Sequence, residues 1–373
     1  MPRIKSLSAR VILNSRCEWT VEAEINSARG SAPSGASKGS HEARQIEAKK
    51  AVFNIEKLRK GIVGETFSQK LFDLFLQKKG GKSFSRLGGN VATALSFAFY
   101  NANFSLKNNI FPFPLGNVLG GGRHGGSTDM QEFLVMPAKA KTFPEAVKTN
   151  LDFYNILKKI TKEHAVNDEG ALMPRLSDEK ALELLLRIAE DVPVKVGIDV
   201  AASCFWDGKH YLYKSDLKRG PGEQIDYIAD LARKYRLFYV EDALQENDFW
   251  GFAELNRKIG SKVLVCGDDL TVTSAERLSM AVRQRSINSI IIKPNQAGTI
   301  TSALEAVRLA RKKSLIPVIS HRSGETEDVT ISRLAVNESI PIIKAGVYGT
   351  RVVKTNELLR LWYSCKKPRM AKI

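Results

Sequence analysis

The stretch VKVGID, residues 194–199, opens a run of apolar, β-branched segments that decides the fold. RLFYVE (236–241), KVLVCGD (262–268), INSIIIK (287–293), IPVISH (316–321) and IPIIK (340–344) follow it. Each ends on a polar or charged residue, and successive ends fall 23 to 42 residues apart with helical periodicity between them. Near-continuous apolar strands alternating with helices predict an α/β fold in which a parallel sheet is covered on its outer face. So many units favour closure into a barrel. In barrels of this kind the chemistry sits at the C-terminal ends of the strands, and there the chain places Asp199, Glu241, Asp268, Lys293, His321 and Lys344. A single strand often stops at a charged residue because the chain emerges into water. Consecutive ends that supply three carboxylates, two lysines and a histidine point instead to a shared site.

Upstream the pattern is less regular. Residues 4–14 and 18–30 are β-rich around a turn at Asn14–Cys17 and predict a hairpin. The Gly/Ser/Pro stretch from Ser27 to Ser40 reads as a mobile loop. Helical patterns over 42–60, 66–78 and 89–105 complete a small α+β domain, assigned to 1–112, which ends near FPFPLG (111–116). The barrel domain is assigned to 113–373. It begins with two short strands around Asn117 and Glu132 and two amphipathic helices at about 143–164 and 177–190, ahead of the six βα units.

Composition narrows the class. No apolar run approaches the roughly 20 residues needed to cross a bilayer, and the N-terminal MPRIKSLSARVILNSR lacks the apolar segment of a secretory signal, so cytoplasmic residence is expected. Cys17, Cys204, Cys266 and Cys365 form no Cys-x-x-Cys pair and read as reduced thiols. The net charge of +17 favours anionic partners, among them a phosphorylated metabolite or nucleic acid. The basic residues lie in scattered groups without interleaved aromatics, which disfavours a single-strand nucleic-acid platform. His41, His164 and His210 lie outside any motif and read as surface or packing residues.

Asp199, Glu241 and Asp268 together offer an all-oxygen anionic site suited to a hard divalent cation such as Mg²⁺. Lys293, brought near that cation, would have its pKa lowered and could serve as a base. Proton abstraction beside a carboxylate doubles the negative charge there, and a metal ion aimed at those oxygens supplies the stabilisation required.

At this point the motifs resemble the enolase (phosphopyruvate hydratase) family. The matching strings are APSGAS (32–37), GGRHGG (121–126), MQEF (130–133), NDEG (167–170), IDVAAS (198–203), VED (240–242), GDDLTVT (267–273), KPNQAGT (293–299) and SHRSGETED (320–328). The resemblance covers almost the whole chain and implies an enolase-type β/α barrel: two strands, two helices, then six βα units. It implies that Lys293 removes the C2 proton of 2-phosphoglycerate and that Glu169 protonates the departing C3 hydroxyl, forming phosphoenolpyruvate. Glu169 would then need a raised pKa, which Asp168 and Glu132 would supply by like-charge repulsion. Arg322 and Ser323 are implied to hold the phosphate, and Lys344 to pair with the substrate carboxylate region. Gln131, Glu132, His124 and His321 are implied as further site residues, and Ser37 as ligand to a second Mg²⁺, two per site in all.

The chain also departs from the family's pattern. Cys204 stands where enolases commonly carry Glu, the segment 124–132 is one residue short, and the N-terminal domain is shortened between Ser37 and His124. The stretch AGVYGTRVVKTNELLR (345–360) lacks the usual Ala-Pro and Ser-Glu-Arg, and the tail KKPRMAKI is basic. Glu22 and Arg360 could still form the family's dimer pair, so a homodimer is expected. Two other readings compete: an enolase-like protein acting on a non-phosphorylated acid, and a nucleic-acid-binding protein that uses the barrel as scaffold.

Overall fold

The computed structural model describes residues 1–35 and 41–373. An N-terminal meander comes first: β1 (Leu7–Leu13), β2 (Trp19–Ile25) and β3 (Ala28–Ser31), all antiparallel. Sequence alone predicts one strand over 18–30 running into a loop. The chain instead breaks at Asn26 and Ser27, whose φ angles of 50° and 67° are both left-handed. Two such residues make the tight turn whose twist suits a hairpin, and the residues expected to start the mobile loop become a third strand. Gly30 explains the disguise. A Cβ there would lie 2.1 Å from the amide nitrogen of Ala98, so only glycine lets β3 approach helix Gly89–Ala102 this closely. Helices Ala48–Arg59 and Gln69–Gly80 complete the domain around Val21, Ile55, Phe72, Leu95 and Phe99.

The remainder is a closed barrel. Its strands are β4 (Phe113–Gly120), β5 (Glu132–Met136), β6 (Lys195–Asp199), β7 (Tyr239–Glu241), β8 (Leu264–Gly267), β9 (Ser289–Ile292), β10 (Ile316–Ser320) and β11 (Ile342–Lys344), with β11 closing on β4. β5 alone is antiparallel to its neighbours. Helices Phe143–Thr161 and Asp178–Asp191 follow it before the parallel units begin. The order of two strands, two helices and six βα units is the one expected. Both sheet faces are buried because the strands alternate two apolar faces rather than one. Phe113, Leu115, Leu134, Tyr239, Ile291 and Val318 pack together, while Ile198, Val240, Val265 and Ile290 join a second apolar cluster with residues of the surrounding helices.

The N-terminal domain is bolted to the barrel by polar contacts. Asp73, fully buried, accepts from the amide (2.9 Å) and hydroxyl (2.6 Å) of Thr301, in the first turn of helix Ile300–Lys312. It therefore satisfies an amide that a helix start leaves unpaired. Thr93 donates to the carbonyl of Gly298 at 3.2 Å, close to the same helix start. Asp73→Ala should leave the Thr301 amide and hydroxyl buried without a partner, at a cost of about 1–3 kcal/mol. The urea midpoint of unfolding should fall accordingly, while the far-UV spectrum of the folded protein stays the same.

Candidate active site

β5 runs against its neighbours, so its first residue meets their last. Glu132 is aligned with Asp199, and Asp199 with Glu241. This register puts three buried carboxylates in one row at the barrel mouth. The last residue of β11 reaches across to them: the Lys344 ammonium lies 2.9 Å from Asp199 Oδ2, 2.9 Å from Glu241 Oε1 and 3.0 Å from Glu132 Oε2. Sequence reading turns Lys344 toward the substrate carboxylate. In the structure its charge is held by these side chains, which raise its pKa well above the ordinary lysine value against the opposing effect of burial. Even so, burial and the repulsion of Asp199 push Glu241 up to about 8.

Just past β8, Asp268 receives a bond from the Lys293 ammonium at the end of β9 and another from Gln296 Nε2 at 3.3 Å. Asp242 takes the backbone amides of Asp268 (3.0 Å) and Asp269 (2.7 Å), fixing that turn. Burial would push the Lys293 pKa down, but Asp268 outweighs it and the net direction is up. The lowering expected from sequence depends on a cation beside Lys293, and here its neighbour is the Asp268 carboxylate.

Glu169 and His124 lie on loops and Gln131 immediately precedes β5, yet all three line the same cleft. Glu169 accepts from Asn117 Nδ2 of β4 at 3.1 Å, and its other neighbours are His321 Nε2 at 3.6 Å and His124 Nε2 at 3.9 Å. His124 Nδ1 is 2.6 Å from Asp168. The acidic neighbours were expected to raise Glu169. Burial does act upward, but His321, His124, Arg351 and Lys344 outweigh it, and Glu169 lies well below the ordinary range. Burial drives His321 itself down to about 3. It is therefore uncharged at neutral pH unless Glu169 or another anion holds its proton, and Arg351 and Lys344 are the permanent cations near Glu169. Glu132 goes the other way: burial and the charge of Glu169 raise it well above 4.5.

At the end of β10, Arg322 forms a two-pronged pair with Glu42, at 3.0 and 3.1 Å. The backbone around it is pinned by Arg351, a fully buried side chain that donates to the carbonyls of Asp168, Arg322 and Ser323 and lies 3.4 Å from His321 Nδ1. Arg351 thus ties the Glu169 loop to the loop after β10. Sequence reasoning missed Glu42, Asn117, Tyr239, Gln296 and Arg351. Tyr239 and Asn117 lie inside strands whose apolar pattern conceals them. Arg351 falls within the divergent stretch 345–360, where no motif flags it.

Among the described residues, two trios bring their potential ligand atoms within 4.8 Å of one another: His124, Glu132 and Glu169, and Asp242, Asp268 and Asp269. The expected trio of Asp199, Glu241 and Asp268 is spread wider, with two members on Lys344 and the third on Lys293. Ser37 lies outside the described residues. The donor set fits a hard divalent cation. Its carboxylate ligands are oxygens, they are buried, and burial together with neighbouring carboxylates raises the pKa of Glu132, Glu241 and Asp242, an environment that a bound cation would relieve.

Comparison with known proteins agrees with this geometry. Residues 108–365 match the family model "Enolase, C-terminal TIM barrel domain" and residues 4–110 match "Enolase, N-terminal domain". The chain belongs to the enolase family. It is 43% identical to the enolase of Archaeoglobus fulgidus over 99% of this chain and 100% of that protein. It is 41% identical to that of Methanosphaera stadtmanae and 40% to that of Natronomonas pharaonis, over at least 97% of this chain and 99% of each relative. As an enolase it is a hydro-lyase with an implied divalent metal, and no described helix is long and apolar enough to cross a membrane.

The hydroxyl of Tyr239 donates to Glu241 Oε2 at 2.5 Å, fixing one oxygen of a candidate metal carboxylate. Tyr239→Phe removes that orienting bond. Divalent-cation affinity of this enolase, measured by titration calorimetry, should fall about ten- to hundredfold with little change in the folded spectrum.

Proposed function

We propose that this enolase interconverts 2-phospho-D-glycerate and phosphoenolpyruvate with two Mg²⁺ per site, serving glycolysis and gluconeogenesis in the cytoplasm. The observation that carries the reading is the placement of Lys293 at the end of β9 and Glu169 beside β4, three strands round the barrel, in one cleft with Arg322. A base and an acid approaching one substrate from separated positions suit removal of a proton from one carbon and a hydroxyl from the next.

Lys293 takes the C2 proton. It can do so only when neutral, so the charge of Asp268 must be engaged elsewhere during turnover. Asp199, Glu241 and Asp268 would hold a divalent cation, and Ser37 would contribute to the second. The bound metal supplies electrostatic stabilisation for the charge that develops on the substrate carboxylate. Glu169 gives its proton to the departing C3 hydroxyl. A polyanionic substrate beside Glu169 raises its affinity for a proton, and Glu132 and His124 are the neighbours able to return one. Arg322, turned from Glu42, grips the phosphate with its planar fork, and Ser323 adds a donor. Gln131 and His321 complete the walls, with His321 neutral and able to accept or donate one hydrogen bond. Lys344 opposes the upward push of burial on Glu132 and Glu241 and offers positive charge to the substrate carboxylate.

A non-phosphorylated acid would leave the Arg322 fork and the Arg351 brace behind it without a ligand to serve. The homodimer is proposed on the expectation that Glu22 of one protomer meets Arg360 of the other. Within the chain, Glu22 lies 3.5 Å from Arg10, and Arg360 is exposed and lies 3.4 Å from Glu357.

The test separates base from acid. With Mg²⁺ and 2-phosphoglycerate, the wild type should generate the ultraviolet absorbance of phosphoenolpyruvate. Lys293→Ala and Glu169→Gln should each lose about two to four orders of magnitude in turnover. In deuterated water Glu169→Gln should still exchange the C2 proton, and Lys293→Ala should not. Loss of exchange in neither variant would overturn the assignment of Lys293.

A further inference from the structure

The parallel strands of the barrel are entered from the face opposite the cleft, and the segments that make those entries, that of β11 apart, carry exposed positive charge. Lys195 starts β6, Arg236 precedes β7, Lys262 precedes β8, Arg285 precedes β9, Lys313 precedes β10, and Lys367 precedes the short bridge that pairs the tail with the residues leading into β4. All six are exposed, and among the described residues none has a carboxylate within 4.0 Å. The acidic residues at helix ends on this face are Glu145, Glu190, Asp191 and Glu338 among the described residues. These six cations therefore share the face of the barrel opposite the substrate cleft.

Helix ends account for only part of this pattern. Cations near a helix C-terminus are favoured by its dipole, which explains basic residues in a last turn. Lys195 and Lys262 lie outside any helix. Arg236 and Arg285 occupy left-handed backbone, with φ of 48° and 56°, where glycine or asparagine is less strained. Charge is retained there at a conformational disadvantage.

We propose that this face of the barrel binds the phosphodiester backbone of nucleic acid without regard to sequence. The chemistry favours that partner over an anionic membrane or an acidic protein. Among the described residues the large exposed apolar side chains close to this face are Tyr363 and Ile373, both on the C-terminal segment, which form neither an apolar stripe to enter a bilayer nor an apolar centre for a protein interface. What remains is a ring of guanidinium and ammonium groups, the recognition chemistry of a phosphate backbone.

The experiment follows fluorescence anisotropy of a labelled mixed-sequence duplex of about 20 base pairs and a single-stranded RNA, each across a range of salt. The wild type should bind with dissociation constants on the order of 10⁻⁶–10⁻⁴ M near physiological salt, and log K should fall linearly with log salt concentration. The triple variant Arg285→Glu, Lys312→Glu, Lys313→Glu should lose affinity about tenfold or more and flatten the salt slope by up to ~0.9 per phosphate contact removed. These residues lie outside the cleft, so enolase turnover should be unchanged and reports that the variant is folded. A matched triple on the N-terminal domain, Lys57→Glu, Arg59→Glu, Lys60→Glu, changes net charge equally and should lose much less. Equal losses in the two triples, binding to phosphatidylserine vesicles but not to either nucleic acid, or no salt-dependent binding at all would each overturn the proposal.

Discussion

The interaction on which the site depends is the clasp of one ammonium by three carboxylates. Lys344 holds Glu132, Asp199 and Glu241 at 2.9 to 3.0 Å in a buried barrel mouth. Buried charges of one sign repel strongly and lose their hydration, so a row of carboxylates survives only if cations or protons are distributed among them. Lys344 and Lys293 are too few for Glu132, Asp199, Glu241, Asp242, Asp268 and Asp269. Burial and mutual repulsion accordingly raise the pKa of Glu132, Glu241 and Asp242. An assembly short of positive charge and built wholly of oxygen ligands is one that a hard divalent cation completes, releasing protons as it enters.

The same imbalance sets which carboxyl is acid and which is anion. Glu169 and Glu132 share one pocket, but the positive charges near Glu169 belong to His124, Arg351 and Lys344, whereas Glu132 feels Glu169 itself. Two chemically similar groups are thus pushed in opposite directions by where the cations stand. His321 contributes little charge because burial keeps it neutral, and its Nε2 has no hydrogen-bond partner among the described residues. The resting distribution also places Lys293 against Asp268 and Arg322 against Glu42, so both side chains that the reaction needs are engaged by partners that must give way.

The fold was legible because the barrel strands advertise themselves. A strand buried on both faces is apolar throughout, and VKVGID, INSIIIK and IPIIK could hardly be anything else. The strand-tip residues were legible for a related reason, since a charge that ends such a run stands out. Legibility failed where charge or turn was buried within another signal. The hairpin turn at Asn26–Ser27 lay at the edge of a Gly/Ser stretch that suggested a loop, and β3 was lost with it. Tyr239 and Asn117 read as strand residues. The expectation for Glu169 failed because Asp168 and Glu132 are close in sequence or motif, while the cations that outweigh them arrive from residues 124, 344 and 351. Sequence neighbours are visible before folding; the net field of distant charges is not.

The departures from the family's pattern fall where the architecture can absorb them. The row of Glu132, Asp199 and Glu241 is fixed by strand register, and slipping any strand by one residue would turn its tip carboxylate to the other face of the sheet. Shortening the N-terminal domain or the segment 124–132 leaves that register intact. The divergent stretch 345–360 is a different case, because it carries Arg351, whose bonds to the carbonyls of Asp168, Arg322 and Ser323 join the acid loop to the phosphate loop. Retaining one arginine there preserves the relative placement of two loops that no strand pairing connects. Barrel register therefore positions the metal-binding and base residues, while a single buried side chain positions the rest, and the second arrangement is the more vulnerable to substitution.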